Sequence, residues 1–406
     1  MILEQTIKKI FLIEGKIQHY DWGGKKFISN LIKRKKNIAN YAEYWLGAHL
    51  KAPSIIKTKA GNISLDFFLR QKPIEFLGVR VAKTYGKLPY LFKVLDVDKM
   101  LSIQVHPTKK AAEIGFKREN KKGILLTARN RNYKDKNHKP EVMVALSDFW
   151  LLHGFLKSEK IIENLEKTSE LHFLLSTFKT HNYFELYKKV MQFSQQEVNG
   201  ILKPLANRIL PDFLNNKIQK SSPEYWVAKA LENKSLDNID RGIFSFYFFN
   251  IVNLSKGEAI FQDAGVPHAY LEGKNIELMA NSDNVLRGGL TSKHIDVEEL
   301  LKNTKFEETI PKILYGIKSP LNDELVYQTK AKDFRLSKIQ SNESIRYNST
   351  SKSIEILIIL KGNATVIRHK NRINIEKGQA ILIKANTRYR IVSSKGVEIY
   401  KASVPD

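Results

Sequence analysis

The chain contains no cysteine among its 406 residues. Disulfide bonds and thiolate metal sites are therefore excluded, and the composition fits a reducing compartment. The first residues, Met1–Gln5, do not show the basic and then apolar pattern of a secretory signal. No apolar run approaches the roughly 18 residues that a membrane-spanning helix needs. The sequence predicts a cytoplasmic protein that does not span a membrane.

The chain is strongly basic, but its basic charge is not massed in one tract, and the longest cluster is Lys33–Lys36. It has 67 lysine and arginine residues against 42 acidic residues, which gives a formal net charge of +25. These basic residues are spread along the chain, without a zinc finger, a basic zipper or an RNA-binding signature of interleaved aromatic residues. The distribution favours an ordinary enzyme surface over a nucleic-acid interface. Its positive field would attract an anionic substrate.

The pattern of apolar residues changes twice along the chain. Residues 1–150 read as strands and tight turns, punctuated by Gly, Pro and Asp. Over residues 158–240 the apolar residues follow a helical period, and Ser222 before Pro223 is typical of a capped helix start. Strand patterns return near Ile251 and dominate the C-terminal part. The sequence predicts a mainly β fold with a helical insert.

A short internal repeat indicates that the β part is duplicated. The segment Lys256–Phe261 aligns with Lys377–Leu382. In this register His268 corresponds to Tyr389, so the second copy would lack a histidine that the first copy has. A chain of this length can hold two or three domains. We expect a discontinuous first domain, a helical insert and a degenerate C-terminal copy, with the bounds 1–155 plus 241–323, 156–240 and 324–406.

Four side chains suited to metal binding come from three segments. Gln104 and His106 are two residues apart on a predicted strand, which points both side chains to one face. Glu141 and His268 lie further along the chain and can complete the set. Nitrogen and oxygen donors without thiolate suit zinc or another borderline divalent ion. Such an ion acts as a Lewis acid on carbonyl or hydroxyl groups.

The segments around these side chains resemble those of one enzyme family. They include Tyr20–Gly23, Ala42–His49, Leu88–Leu95 and Asn281–Thr291. In this order they resemble the type I mannose-6-phosphate isomerases, which are zinc enzymes with the cupin fold. The resemblance runs from about Gln18 to the C-terminus and is weakest in the helical middle.

The resemblance implies both an architecture and a reaction. The architecture is a pair of tandem cupin (jelly-roll) β-barrels plus an α-helical domain. The reaction interconverts mannose 6-phosphate and fructose 6-phosphate through an enediolate intermediate. One Zn²⁺ per chain would be held by Gln104, His106, Glu141 and His268. The expected partner is a small sugar phosphate, and we expect a monomer without nucleic-acid or membrane partners.

Such a reaction needs a group that carries a proton between C1 and C2 and a cation that stabilises the enediolate. The candidates for proton transfer are Lys139, Glu277 and Asp283, and the sequence leaves the choice among them open. A divalent ion near Lys139 would lower the pKa of its ammonium group. Arg287 is expected to stabilise the oxyanion because its guanidinium group is always charged, and the resemblance supports this role.

Three further residues match positions that line the substrate pocket in the family. They are Ser102, Lys93 and Lys293, and we expect them to bind the sugar phosphate. Ser102 precedes Gln104 by two residues and therefore faces the same way. His138 follows the family pattern as a supporting residue rather than as a metal ligand.

Two other functions remain open from the sequence. A non-haem iron oxygenase could use His106, His268 and Glu141 alone. A fourth protein ligand, Gln104, argues against it because oxygen and substrate need open positions on the metal. A non-enzymatic sugar- or nucleic-acid-binding protein would suit the basic charge, but a complete metal set beside catalytic cations is more than binding requires.

Overall fold

The structure, a computed structural model, describes residues 8–34, 39–58, 61–320 and 322–406. The fold is mainly β, as the sequence predicts. Its strands are β1 (Ile10–Glu14), β2 (Lys16–Gln18), β3 (Glu43–Gly47), β4 (Ile55–Thr58), β5 (Gly61–Ser64), β6 (Tyr90–Val97), β7 (Ile103–Val105), β8 (Glu141–Ala145), β9 (Phe149–Phe155), β10 (Phe249–Leu254), β11 (Ala259–Gln262), β12 (His268–Ala280), β13 (Leu286–Gly289), β14 (Ile317–Lys318), β15 (Glu324–Tyr327), β16 (Arg335–Ser341), β17 (Ile345–Ser351), β18 (Glu355–Lys361), β19 (Asn363–Arg368), β20 (Asn371–Glu376), β21 (Ala380–Ile383), β22 (Thr387–Ser393) and β23 (Val397–Ser403).

Helices connect these strands, and most of them are short. The α-helices are α1 (Phe27–Leu31), α2 (Leu65–Gln71), α3 (Pro73–Leu77), α4 (Val79–Tyr85), α5 (Lys109–Lys121), α6 (Ser158–Lys167), α7 (Leu174–Gln192), α8 (Gln195–Leu214), α9 (Pro223–Leu231) and α10 (Val297–Asn303). Two 3-10 helices lie at Ser169–Leu171 and Arg241–Tyr247. Within the described ranges, no helix combines the length and the apolar character needed to cross a membrane.

The strands form three sheets. The ten-stranded sheet follows the order β10-β9-β12-β6-β3-β2, and β7 and β8 also pair with β12 and carry β13 and β11. The nine-stranded sheet has the order β14-β15-β16-β23-β18-β21-β1-β4-β5. The four-stranded sheet has the order β17-β22-β19-β20. Strand β12 therefore has more neighbours than any other strand in its sheet.

Two large apolar cores hold these layers together. One core contains buried residues from both larger sheets, among them Phe11, Val144 and Leu382. The other core joins the helical segment to the ten-stranded sheet, with Trp226 and Leu152 in one cluster of buried residues. Burial of this apolar surface is the main favourable term in such packing. The helical segment is thus fixed against the sheet that contains β12.

The segment predicted to be helical contains α6 to α9 and joins β9 to β10. Ser222 caps α9 by accepting a hydrogen bond from the backbone N–H of Tyr225, and Pro223 is the first helical residue. Ser194 and Glu197 form a capping box at the start of α8. Both arrangements use side chains to satisfy backbone groups that have no partner inside the helix. The predicted start of α9 is confirmed.

The expectation of strands and turns throughout residues 1–150 is wrong in three places. Helix α1 lies between β2 and β3. Helices α2 to α4 follow one another after β5, and α5 follows β7. Helix α2 buries Leu65, Phe68 and Leu69, whose spacing is the helical period. A helix of seven residues contains only one such repeat, and the β-rich segments near it make that repeat hard to recognise in the sequence.

The N-terminal strand β1 belongs to the same sheet as the C-terminal strands. It pairs with β21, where Ile10 lies opposite Ile383, and with β4 on its other side. The ring of Phe11 packs against that of Phe68 in α2, with 5.2 Å between the ring centroids. The nine-stranded sheet therefore contains strands from both ends of the chain. The domain bounds given by the sequence stay a prediction.

We expect Phe11→Ala to destabilise the protein far more than Phe67→Ala. Phe11 is 2% exposed and Phe67 is 60% exposed, so only the first leaves a cavity between the two ends of the chain. The buried substitution should cost about 3–5 kcal/mol of unfolding free energy. Urea denaturation followed by circular dichroism measures the difference. Equal midpoints for the two variants would show that β1 is not held by this contact.

Candidate metal centre

Strand β12 positions the site because four strands pair with it. Its first residue, His268, lies opposite Gln104 of β7, and Glu277 lies opposite Lys93 of β6. Near its end, Met279 lies opposite Glu141 of β8. Side chains that share a face of neighbouring strands are about 5 Å apart at Cβ. The register of β12 thus brings together residues that are far apart in the sequence.

Three of the predicted metal ligands meet at one buried point. Nε2 of His106 lies 3.4 Å from Oε1 of Glu141, and Nε2 of His268 lies 3.5 Å from Oε2 of the same carboxylate. The candidate ligand atoms of these three residues all lie within 4.8 Å of one another. All three residues are buried. This is the geometry in which two imidazoles and a carboxylate share one ion.

Backbone carbonyl groups orient both imidazole rings. Nδ1–H of His106 donates to the carbonyl oxygen of Asn284, and Nδ1–H of His268 donates to that of Val266, each at 3.0 Å. Such bonds leave Nε2 of each ring without a proton and directed at the shared point. Nε2 of His106 is buried and has no hydrogen-bond partner within the described part of the chain. A divalent cation fits this arrangement because it would satisfy that atom.

The protonation of the ligands also suits a cation. Burial, with the nearby Lys139 ammonium group, lowers the pKa of His106 to about 4. Burial alone would raise the pKa of Glu141, but Lys139 and His106 hold that pKa well below its ordinary value. Nζ of Lys139 lies 2.9 Å from Oε1 of Glu141. The site therefore presents a neutral His106 imidazole and an ionised Glu141 carboxylate, which are the forms that bind metal.

A cavity of about 1440 Å³ opens above the three ligands. Every predicted catalytic and substrate-binding residue lines it, as do three of the four predicted ligands, while His106 lies buried below its floor. The predicted residues on its wall are Ser102, Lys93, Lys293, Arg287, Lys139, Glu277, Asp283, Gln104, Glu141 and His268. The structure thus brings the predicted residues into one site. Their individual roles, including ligation by Gln104, stay predictions.

A buried network holds Glu277 in the cavity wall. Nζ of Lys93 donates to Oε1 of Glu277 at 2.9 Å, and the Tyr270 hydroxyl donates to Oε2 at 2.8 Å. Lys93 also lies 3.5 Å from a carboxylate oxygen of Glu43. Burial raises the pKa of Glu277, and the Lys93 ammonium group opposes this shift. Lys93 is therefore shared between two carboxylates rather than directed only at the cavity.

Arg287 has a different environment. It is half-buried in the cavity wall and forms no ion pair with any described residue. Burial lowers the pKa of Arg287, and burial with the nearby Arg287 charge lowers that of Lys293. Gly289 (φ +132°) lies so close to Gly242 that a Cβ atom there would be 2.3 Å from the Gly242 Cα atom. This close packing holds the end of β13, the strand that carries Arg287, against the 3-10 helix.

Asp283 is already paired with cations. It lies 3.3 Å from Nε2 of His49 and 2.7 Å from Nζ of Lys51. Burial opposes the effect, but these two residues hold the pKa of Asp283 below its ordinary value. A strongly acidic, ion-paired carboxylate accepts a proton poorly near neutral pH. The geometry therefore favours Glu277 over Asp283 as a proton carrier.

Several residues of the site were not identified from the sequence. Tyr270 and Glu43 complete the network around Glu277, and Lys134, Lys229 and Arg241 add charge to the cavity wall. Tyr270 lies two residues after a metal ligand on one strand, which is a local signal that it shares its face. The position of Glu43 depends on the pairing of β3 with β6. The positions of Lys229 in α9 and Arg241 in the 3-10 helix depend on how the helical segment packs against the sheet. Neither the pairing nor the packing can be read from a local sequence pattern.

His138 supports the site from outside, as expected. Its Nε2 atom lies 2.8 Å from Oδ2 of Asp333 in the loop between β15 and β16. The loop that leads to Lys139 and Glu141 is thus tied to the C-terminal part of the chain.

Comparisons with known proteins identify the same family along most of the chain. The family profile described as "Phosphomannose isomerase type I, catalytic domain" matches residues 10–158. The mannose-6-phosphate isomerase of Escherichia coli strain K12 is 35% identical over 91% of this chain and 93% of its own length. That of Mus musculus is 30% identical over 97% of this chain and 98% of its own length.

A solved structure agrees with these sequence relatives. The mannose 6-phosphate isomerase from Salmonella typhimurium, bound to substrate (f6p) and a zinc atom, superposes with a TM-score of 0.87 at 32% identity. The match covers 98% of this chain and 100% of that chain. The sequence relatives and this superposition both extend beyond the segment matched by the profile. The chain therefore belongs to the type I phosphomannose isomerase family.

Proposed function

We propose that this protein is a zinc-dependent aldose–ketose isomerase that interconverts mannose 6-phosphate and fructose 6-phosphate. The main support for this proposal is the buried set of His106, Glu141 and His268, which lies below a cavity whose wall contains Arg287 and Glu277. The family relatives carry the same activity in their names, and the Salmonella structure holds fructose 6-phosphate and zinc. No observation favours an oxygenase or a non-enzymatic binding protein.

One Zn²⁺ fits the donor set of His106, Glu141 and His268, and Gln104 supplies a fourth donor from the opposite strand. When bound, zinc supplies Lewis acidity toward the sugar oxygens. The chain's own residues prepare this chemistry. The carbonyl groups of Asn284 and Val266 hold the two imidazole rings in one orientation. The three ligand residues are buried, which limits the access of water to them.

The phosphate group binds away from the metal centre, where it can position the sugar. Lys293 and Ser102 lie on the cavity wall, and the field of the basic surface favours a dianion. Binding energy from this group fixes the reacting carbons, which converts proton transfer into an intramolecular process. Lys93 contributes in a different way, because its ion pairs orient the Glu277 carboxylate.

The proton moves between adjacent carbons of the open-chain sugar. The Glu277 carboxylate removes the C2 proton of mannose 6-phosphate, and the electrons of that C–H bond form the enediolate. The same carboxyl group returns a proton to C1 while the hydroxyl proton moves from O2 to O1, which yields fructose 6-phosphate. Arg287 and Lys139 place positive charge beside the developing oxyanion. Because burial raises the pKa of Glu277, its carboxylate is a stronger base than an exposed carboxylate and accepts the C2 proton more readily.

We also propose that the two β halves are tandem jelly-roll barrels of the cupin type. We also propose a cytoplasmic monomer that binds neither nucleic acid nor membranes, because its positive charge is dispersed.

Removal of metal should abolish isomerisation, and added zinc should restore it. Purified protein is assayed for conversion of mannose 6-phosphate before chelation, after chelation and after addition of Zn²⁺. His268→Ala should also lose bound zinc, measured by elemental analysis, whereas the exposed His172→Ala should keep it. Full activity in metal-free protein would contradict the proposal.

Arg287→Met should lower kcat/KM by about 10²–10³-fold because it removes charge stabilisation of the oxyanion. Arg287→Lys should recover part of the loss. Arg388→Met, at an exposed position on β22, is the matched control and should leave kcat/KM unchanged. Zinc content must stay constant in all three variants. A loss confined to KM would instead assign Arg287 to substrate binding alone.

Glu277→Gln should lower kcat by about 10²–10⁴-fold because it removes the proton carrier. The base acts when deprotonated, so wild-type activity should fall as the pH falls through the Glu277 pKa. Burial raises that pKa above the ordinary value of 4.5, which moves the acidic limb of the profile upward. The residual activity of Glu277→Gln should lack this limb.

The control for this variant is Glu272→Gln on the same strand, whose carboxylate is also paired with lysine residues. It should keep both the rate and the acidic limb. An unchanged limb in Glu277→Gln would transfer the role to another carboxyl group.

A further inference from the structure

The C-terminal part of the chain contains a second buried ionic cluster. Lys401 is 1% exposed, and its Nζ atom lies 2.7 Å from Oε2 of Glu324 and 3.7 Å from Oε1 of Glu355. The Tyr347 hydroxyl also lies 3.1 Å from that ammonium group. A separate cavity of about 90 Å³ adjoins the cluster. None of these residues belongs to the metal centre.

Strand register relates this cluster to the metal centre, beginning with its carboxylate. Strand β11 pairs with β8 so that Gln262 lies opposite Glu141. Strand β21, the repeat of β11 in the sequence, pairs with β18 so that Ile383 lies opposite Glu355. The spacing of the repeat places Ile383 at the position of Gln262. Glu355 therefore occupies the position of the metal-binding Glu141.

The same comparison places the histidine and the amide. His268 of β12 lies opposite Gln104 of β7, and Tyr389 of β22 lies opposite Ser349 of β17. The Tyr389 hydroxyl donates to Oε2 of Glu355 at 2.7 Å. A hydroxyl donor thus bonds to the carboxylate where the first half has an imidazole ligand. This substitution removes metal binding and keeps the carboxylate.

The remaining charges follow the same register. Glu277 lies opposite Met143 of β8, and Lys401 lies opposite Leu357 of β18, so Lys401 replaces Glu277. Glu324 lies opposite Ile339 of β16, and Glu43 lies opposite Leu95 of β6. Ile339 and Leu95 are equivalent in this comparison, so Glu324 replaces Glu43. Each half therefore buries one lysine between two carboxylates, with the lysine on a different strand. The second cavity lies at the position that corresponds to the metal centre.

Two polar groups at this cavity have no protein partner. Oε1 of Glu324 is a buried acceptor and Nε of Arg335 is a buried donor, and neither has a hydrogen-bond partner within the described ranges. Glu324 is only 2% exposed, so bulk water does not readily satisfy it. Hydroxyl groups both donate and accept, so a ligand that carries several of them can pair with an acceptor and with a donor. Ser349 and Ser403 add further hydroxyl partners to the wall.

Charge and size restrict the ligand. The charged residues of the lining balance, with Arg335, Lys352 and Lys401 against Glu324, Glu355 and Asp406. A balanced lining favours neither an anion nor a cation. At about 10–15 Å³ for each water, the cavity holds the equivalent of about six to nine water molecules. We propose that this second cavity binds a small uncharged polyol, of about three or four carbon atoms, independently of the metal centre.

Glycerol and erythritol are the probes for this site, measured by saturation-transfer NMR titration on the zinc-loaded full chain. Ser349→Leu fills the cavity wall, and Arg335→Met removes the donor while leaving the buried ion pairs of Lys401 in place. Each should weaken polyol binding by about five- to tenfold, the effect of one or two hydrogen bonds. Arg346→Met, at an exposed position on β17, is the control and should bind as the wild type does.

Isomerase kcat and KM should be unchanged in all three variants, which separates this site from the first cavity. Circular dichroism melting confirms that each variant is folded, and either cavity variant alone suffices for the comparison. Equal polyol binding by wild type and both cavity variants would overturn the proposal. Binding of inorganic phosphate that is lost in Arg335→Met, with polyol binding unchanged, would also overturn it and identify an anion site.

Discussion

The register of strand β12 is the constraint on which the site depends. Its thirteen residues carry His268 at one end and Glu277 near the other, and four strands fix its position. A shift of one residue would turn each of these side chains to the opposite face of the sheet. Gln104 of β7 and Glu141 of β8 would then face different partners. The apolar residue Ile276, between His268 and Glu277, opposes such a shift because it would move from the core to the polar face.

Buried charge in this site is compensated everywhere except where a substrate is expected. Lys93 is paired with Glu277 and Glu43, and Asp283 with His49 and Lys51, so little of their charge is left for a ligand. Removal of one partner from such a pair leaves an isolated buried charge, which is strongly destabilising. No carboxylate of the described chain pairs with Arg287, which lies half-buried in the cavity wall. We propose that an anionic substrate supplies the missing partner when it enters the cavity.

The sequence identified the residues of the site better than it identified their connections. Residue types and spacing offered His106, Glu141 and His268 as candidates, and the resemblance of the surrounding segments to a known family selected them. The start of α9 was readable from Ser222 and Pro223 because capping is local. The helices α2 to α4 were missed because each gives at most one helical repeat. The pairing of β1 with β21 and of β3 with β6 joins distant segments, and no local pattern encodes it. For this reason the network around Glu277 needed the three-dimensional structure.

The two β halves show how one register supports two kinds of chemistry. Each half buries a lysine between two carboxylates, but the lysine comes from β6 in one and from β23 in the other. In the first half this arrangement leaves Glu141 available to His106 and His268. In the second half, a hydroxyl donor and an ammonium group already surround the equivalent carboxylate. Apolar residues of similar volume would often stabilise such an interior as well or better. Stability alone therefore does not explain the buried charges of the C-terminal half. Oε1 of Glu324 and Nε of Arg335 have no hydrogen-bond partner within the described ranges, and both residues line the second cavity.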